Sequence, residues 1–209
     1  MNFYDNYIMR LGCHLSNENR KIDQVIFTAI ELEANAIQIF DTWGGILSQD
    51  DFQEFSLQYV EKIISNIKRD KEPVIFFPKG VHSNLEKVAN CGADVLGLDW
   101  TMDLGKVRAL VGDKVALQGN LDPTTLYGSE EVIKDRALKT MQSYGNGSGH
   151  IFNLGHGILP DVQPEKLKTL VNFVCNQHLN KYQTSYYQPL KSHQVLVLGF
   201  LPHLVHCKN

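Results

Sequence analysis

The side chains able to bind or react gather where apolar runs of this chain stop. Asp41 and Thr42 follow AIQIF, Lys79 comes just after PVIFF, Asp99 closes DVLGLD, Asn120 and Asp122 follow KVALQG, and His156 sits within NLGHG. A hydroxyl, an ammonium and an imidazole that titrates near pH 6.5 are groups that hold carboxylates by hydrogen bonds and charge. Each position also has a plainer use. His156, between two glycines, can ligate a carboxylate or simply bond to backbone, and Thr42 fits a turn-forming hydroxyl. Asp41 and Asp99 suit caps of the turns that follow them, Asn120 and Asp122 precede Pro123 as turn residues do, and Lys79 suits a solvated lysine. Trp43 and Trp100 read as packing residues beside these positions. His82, His150 and His178 share no ligand spacing, so no metal is expected.

Those groups need a scaffold that brings five run ends to one edge. Ile22, Val25, Ile26, Ala29 and Ile30 have the spacing of an amphipathic helix over 22–32, which leads into a strand at Ala36 to Asp41. Asp50 is a plausible N-cap for the next helix, with Phe52, Phe55, Tyr59, Ile63 and Ile67 on its stripe and Lys68 and Arg69 in its last turn. A strand at Val74 to Phe77 precedes a helix opened by Ser83 and Glu86 at capping-box spacing and closed by Gly92. Strands at Asp94 to Asp99, Lys114 to Gln118 and Ile151 to Leu154 alternate with helices capped by Asp103, capped by Ser129 and begun at Pro164. Strand-helix alternation implies right-handed crossovers and a parallel sheet.

A doubly wound sheet and a barrel both satisfy that pattern. Neither G-x-G-x-x-G nor a P-loop follows any strand, and polar groups stand at the carboxyl ends of many strands, as in a barrel. The expected fold is therefore α/β, a partial (β/α)8 TIM barrel of about five parallel βα units.

The chain's 209 residues, 43% of them hydrophobic, make one domain or a large part of one. A net charge of -3, mixed along the chain, argues against a general nucleic-acid binder. The four cysteines are far apart with no C-x-x-C spacing, which suggests neither a zinc site nor a disulfide framework and fits a reducing, cytoplasmic setting. The N-terminus does not read as a signal peptide. Val195 to Val205 is too short for a membrane span and contains Gly199 and Pro202.

Four stretches together carry a resemblance. FDTWGG at Phe40 to Gly45, GLDW at Gly97 to Trp100, KVALQGNLDP at Lys114 to Pro123 and FNLGHGILPD at Phe152 to Asp161 resemble, in order and spacing, the uroporphyrinogen decarboxylase family. The expected organisation is an unassigned segment over 1–21, the C-terminal part of that family's barrel over 22–179, and a tail over 180–209 outside the family pattern. The resemblance implies a cofactor-free carboxy-lyase of haem and tetrapyrrole biosynthesis, a homodimer, that decarboxylates four acetates of uroporphyrinogen to give coproporphyrinogen. Thr42 matches a substrate-binding hydroxyl of the family and His156 a substrate-binding histidine. The family's catalytic Asp, its Arg-containing loop and a substrate-binding Tyr belong to the half not matched here. The expectation is a truncated member without its catalytic group; the alternative is a non-catalytic half-barrel that binds a tetrapyrrole or a partner subunit. Zinc-dependent methyltransferases that share the barrel need a His-x-Cys pair near Pro78 to His82, where this chain reads PKGVH.

Overall fold

The computed structural model describes residues 8–12, 26, 29–30 and 34–183. Most of the helix expected over 22–32, and the tail from 184 with its apolar run Val195 to Val205, lie outside the described residues; Ile26, Ala29 and Ile30 are helical. Six strands form one parallel sheet: β1 (Ile8–Gly12), β2 (Ala36–Asp41), β3 (Val74–Pro78), β4 (Val95–Gly97), β5 (Ala116–Leu121) and β6 (His150–Leu154). Each strand pairs with its predecessor in the chain, so the spatial order is the sequence order. A doubly wound sheet reverses its order at a switch point, whereas a barrel winds onward in this way. The partial barrel is the architecture, and β1 adds a strand within the segment left unassigned.

Alternate strand residues separate two environments. Ile37, Ile39, Val74, Phe76, Leu96, Leu98 and Leu117 pack outward with Phe52, Leu57, Val60 and Ile63 in one core. Leu121, Phe152 and Leu154 pack with Ile133, Ala137, Leu167 and Leu170 in a second. Residues of the opposite parity, among them Gln38, Phe40, Ile75, Phe77, Gln118, Asn120 and Asn153, turn toward the inner face of the barrel.

The helices that make those cores are α1 (Gln49–Phe52), α2 (Gln58–Asn66), α3 (Leu85–Val88), α4 (Leu104–Val111), α5 (Glu130–Tyr144) and α6 (Pro164–Gln183). Asp103 caps α4 by accepting from Lys106 N at 2.8 Å, and Ser129 caps α5. Four local expectations fail for identifiable reasons. A π turn over Gln53–Leu57 joins α1 to α2 and rotates the helix by a residue, so Ser56, Leu57, Val60 and Ile63 are buried while Phe55 and Tyr59 stay 44% and 39% exposed. The cap is Ser48, not Asp50, and α2 ends at Asn66. Arg69 lies beyond the helix, where it donates to Glu72 O at 2.9 Å and pairs with Asp94. The short α3 starts after Asn84 with no side-chain cap, so the Ser83/Glu86 box does not form. At the other end, α6 continues to Gln183, past the expected start of the tail. Among the described residues, Cys91 is buried and free.

Candidate active site at the carboxyl edge of the sheet

Thr42 stands one residue past β2 and is exposed. Its loop is fixed by Asp41, whose carboxylate faces the helix layer and accepts from Trp43 N at 3.2 Å and from Ser56 Oγ at 2.5 Å. The π turn explains that second bond, because it swings Ser56 inward. A Cβ on Gly44 would sit 2.6 Å from the same carboxylate, so only glycine fits there. The next glycine, Gly45, lies against the β3 loop, with its N–H donating to Lys79 O at 2.9 Å while Lys79 N donates to Asp41 O at 2.9 Å. The loops carrying Thr42 and Lys79 are thereby stitched together.

Asp99, only 1% exposed, does the same for the next two loops. It accepts from Gly80 N at 2.6 Å and from Thr101 N at 2.8 Å, and also bonds the Thr101 hydroxyl, which contacts His82 Nε2 at 3.0 Å. Asn120 Nδ2 donates to Asp99 O at 2.9 Å and Met102 O at 2.7 Å, which ties β5 to that loop. Both aspartates hold loops together, and Asn120 is a strut rather than an open turn residue. Asp122 caps the 3-10 turn Pro123–Tyr127 by accepting from Thr124 N at 2.8 Å.

His156 follows β6 by two residues and is half-buried. Gly155 N donates to Leu121 O at 2.7 Å, and Gly155 lies so close to Trp100 that a Cβ would be 2.3 Å from its nitrogen. This contact sets the His156 imidazole edge-on to the Trp100 indole, centroids 5.9 Å apart at 89°. The Lys79 ammonium lies 5.4 Å from the centroid of the same indole. Further round, Tyr127 OH donates to Asp161 at 2.5 Å, and that bond holds the phenol above its ordinary pKa.

Thr42 and His156 therefore share one edge but are not neighbours. Four strand steps separate β2 from β6, half the circuit of an eight-stranded barrel, whose mouth is about 15 Å across at roughly 4.8 Å per strand and a tilt of about 36°. Between them the rim is occupied by Lys79 and Trp100. Trp100 is thus more than packing, and Trp43, 68% exposed, is not packed at all. Neither outcome is visible in GLDW or DTWG, because each depends on loops from other strands. Below the rim, Phe40 and Phe77 meet edge to face at 5.8 Å, and Gln118 Oε1, on the same inner face, is buried without a hydrogen-bond donor. The arrangement is a polar, cation-bearing rim over a partly aromatic floor, suited to an amphipathic ligand with acidic groups at its edge. No group of three metal-ligating side chains occurs among the described residues.

The family model for uroporphyrinogen decarboxylase matches residues 22–177, most of the chain and all of this edge. The chain belongs to the uroporphyrinogen decarboxylase family. It is 46% identical over 178 residues to the uroporphyrinogen decarboxylase of Tolumonas auensis, covering 83% of this chain and 49% of that protein. With the Pseudomonas fluorescens uroporphyrinogen decarboxylase it shares 57% over 140 residues, covering 65% of this chain and 39% of the relative. The chain thus spans less than half the length of these curated relatives. Among solved structures, a methyltransferase from Methanosarcina mazei superposes with a TM-score of 0.68 at 23% identity, over 77% of this chain and 47% of that one. A dihydropteroate synthase from Coxiella burnetii gives 0.55 at 13%, over 83% and 70%. At such identities these two likenesses concern the fold alone. No helix among the described residues is long and apolar enough to cross a membrane.

Proposed function

We propose that residues 22–179 form one wall of a uroporphyrinogen decarboxylase site, in which Thr42 and His156 hold the substrate and the catalytic Asp comes from sequence outside this chain. The reaction is loss of carbon dioxide from each of four acetate side chains. Protonating the pyrrole makes the ring an electron sink, the electrons of the breaking C–C bond enter it, and a proton completes the methyl group. No cofactor is required. This chain's own contribution is to bind and orient: Thr42 donates its hydroxyl from one side of the mouth and His156 meets a carboxylate from the other. The observation that carries the reading is the family match across the ends of β2 to β6, joined to a rim whose two matched residues stand half a barrel circuit apart, as a broad macrocycle would need. As in the family, the working unit is a cytoplasmic homodimer.

The test is an assay of the purified chain with uroporphyrinogen III, alongside titration with uroporphyrin, its stable oxidised analogue. Binding without coproporphyrinogen production is expected. Turnover by the chain alone would overturn the claim that the catalytic group lies elsewhere, and failure to bind would overturn the site. Substituting Thr42→Val or His156→Gln should each weaken binding about tenfold, the equivalent of one hydrogen bond to a charged group.

A further inference from the structure

We propose that Lys79 is a carboxylate-binding residue of this site, and that the Lys79–Trp100–His156 line favours the more highly carboxylated of two tetrapyrroles. The inference rests on the tetrapyrrole reading of the site but concerns a residue that the family resemblance does not assign. Its backbone is fixed on both sides, N–H to Asp41 O and C=O from Gly45 N, each at 2.9 Å, so its Cα cannot drift from the Thr42 loop. Its side chain is held too. The ammonium is 5.4 Å from the Trp100 ring centroid, within the roughly 6 Å range of cation–π attraction.

An indole face satisfies the charge only in part, and it leaves the three N–H donors free to turn toward a ligand. The carboxylates at the two adjoining strand ends are not available to pair with it. Asp41 is occupied by Trp43 N and Ser56, Asp99 by Gly80 N and Thr101, and both are buried. Among the described residues Lys79 forms no ion pair. A held cation facing a barrel mouth, with the neighbouring negative charge committed to backbone, attracts anions. The same indole meets both this ammonium and the His156 imidazole, so two acidic side chains of one ring edge can be met beside Trp100.

Titration of the full chain with uroporphyrin, which carries eight carboxylates, and coproporphyrin, which carries four, tests this by fluorescence at two salt concentrations. Lys79→Gln should weaken uroporphyrin binding about tenfold, flatten its salt dependence and affect coproporphyrin less. Lys79→Arg should restore most of the loss, and Trp100→Leu should lie between. If Lys79→Gln leaves both affinity and salt dependence within twofold while His156→Gln still weakens binding, Lys79 has no such role and the tetrapyrrole reading stands. If the parent chain binds neither porphyrin, both fall together.

Discussion

Replacing Gly155 by alanine tests whether the rim is held by backbone contact. The added methyl would lie 2.3 Å from Trp100 N and 2.9 Å from its Cα, and it must gain about 1.1 Å to reach the 3.4 Å of ordinary contact. Neither partner can yield cheaply. Gly155 is tied to Leu121 O at 2.7 Å, and the Trp100 loop is bracketed by the Asn120 bonds to Asp99 O and Met102 O. Overpacking generally costs about 1–3 kcal/mol, and obstruction by backbone rather than by a side-chain tip places this case near the top of that range. For a chain of this size the melting temperature should fall by roughly 6–12 °C. Urea unfolding followed by circular dichroism measures the loss, with the slope unchanged if only the native state is strained. Trp100→Ala in the same background supplies the decisive comparison. Trimming the indole removes neither Trp100 N nor Cα, so the two substitutions should show little favourable coupling. A stability change under 0.5 kcal/mol for Gly155→Ala, or its rescue by Trp100→Ala, would refute the backbone-contact explanation.

Two further outcomes follow from buried groups. Asp99→Ala strands Gly80 N and Thr101 N where the site is 1% exposed, and should cost about 2–4 kcal/mol in urea unfolding, with Asp99→Asn costing less because one acceptor oxygen remains. Burial raises the Cys91 thiol above its ordinary value of about 9, so below that pH its titration leaves stability unchanged. Above it the unfolded chain loses the proton first, and stability should fall by about 1.4 kcal/mol per pH unit until the folded thiol also titrates. Comparing the parent with Cys91→Ala in urea from pH 8 to 10.5 isolates that slope, and parallel curves would show that the thiol is not sequestered.

What could be read from the sequence divides along physical lines. Strands β2 to β6 announce themselves because a strand covered on both faces is a run of apolar residues, as PVIFF and AIQIF are. The strand IMRLG has no such run and declares itself only by pairing with β2. Caps read well where one side chain meets one nearby amide, as at Asp103 and Ser129, and badly where the chain offers rivals, as Ser48 beside Asp50. The stripe through Phe55 and Tyr59 assumed a regular helix, and the π turn, with the Ser56 to Asp41 bond it permits, overrode that period. Thr42 and His156 could be singled out from motifs. Their placement across the mouth could not, since it depends on strand order. The Lys79–Trp100–His156 line was hidden for the same reason, because its three members come from three different loops.

The strictly ordered sheet has a consequence for synthesis. Each new strand adds to the outer edge of what precedes it, so no finished pair must reopen to admit a later one. Such a chain can assemble in the direction in which it leaves the ribosome, one βα unit at a time, with each unit docking on its predecessor. The edge left waiting at every stage is a parallel strand with unpaired amides, which invites mispairing with another nascent chain. A pause in translation between β5 and β6 would hold that edge open until β6 arrives.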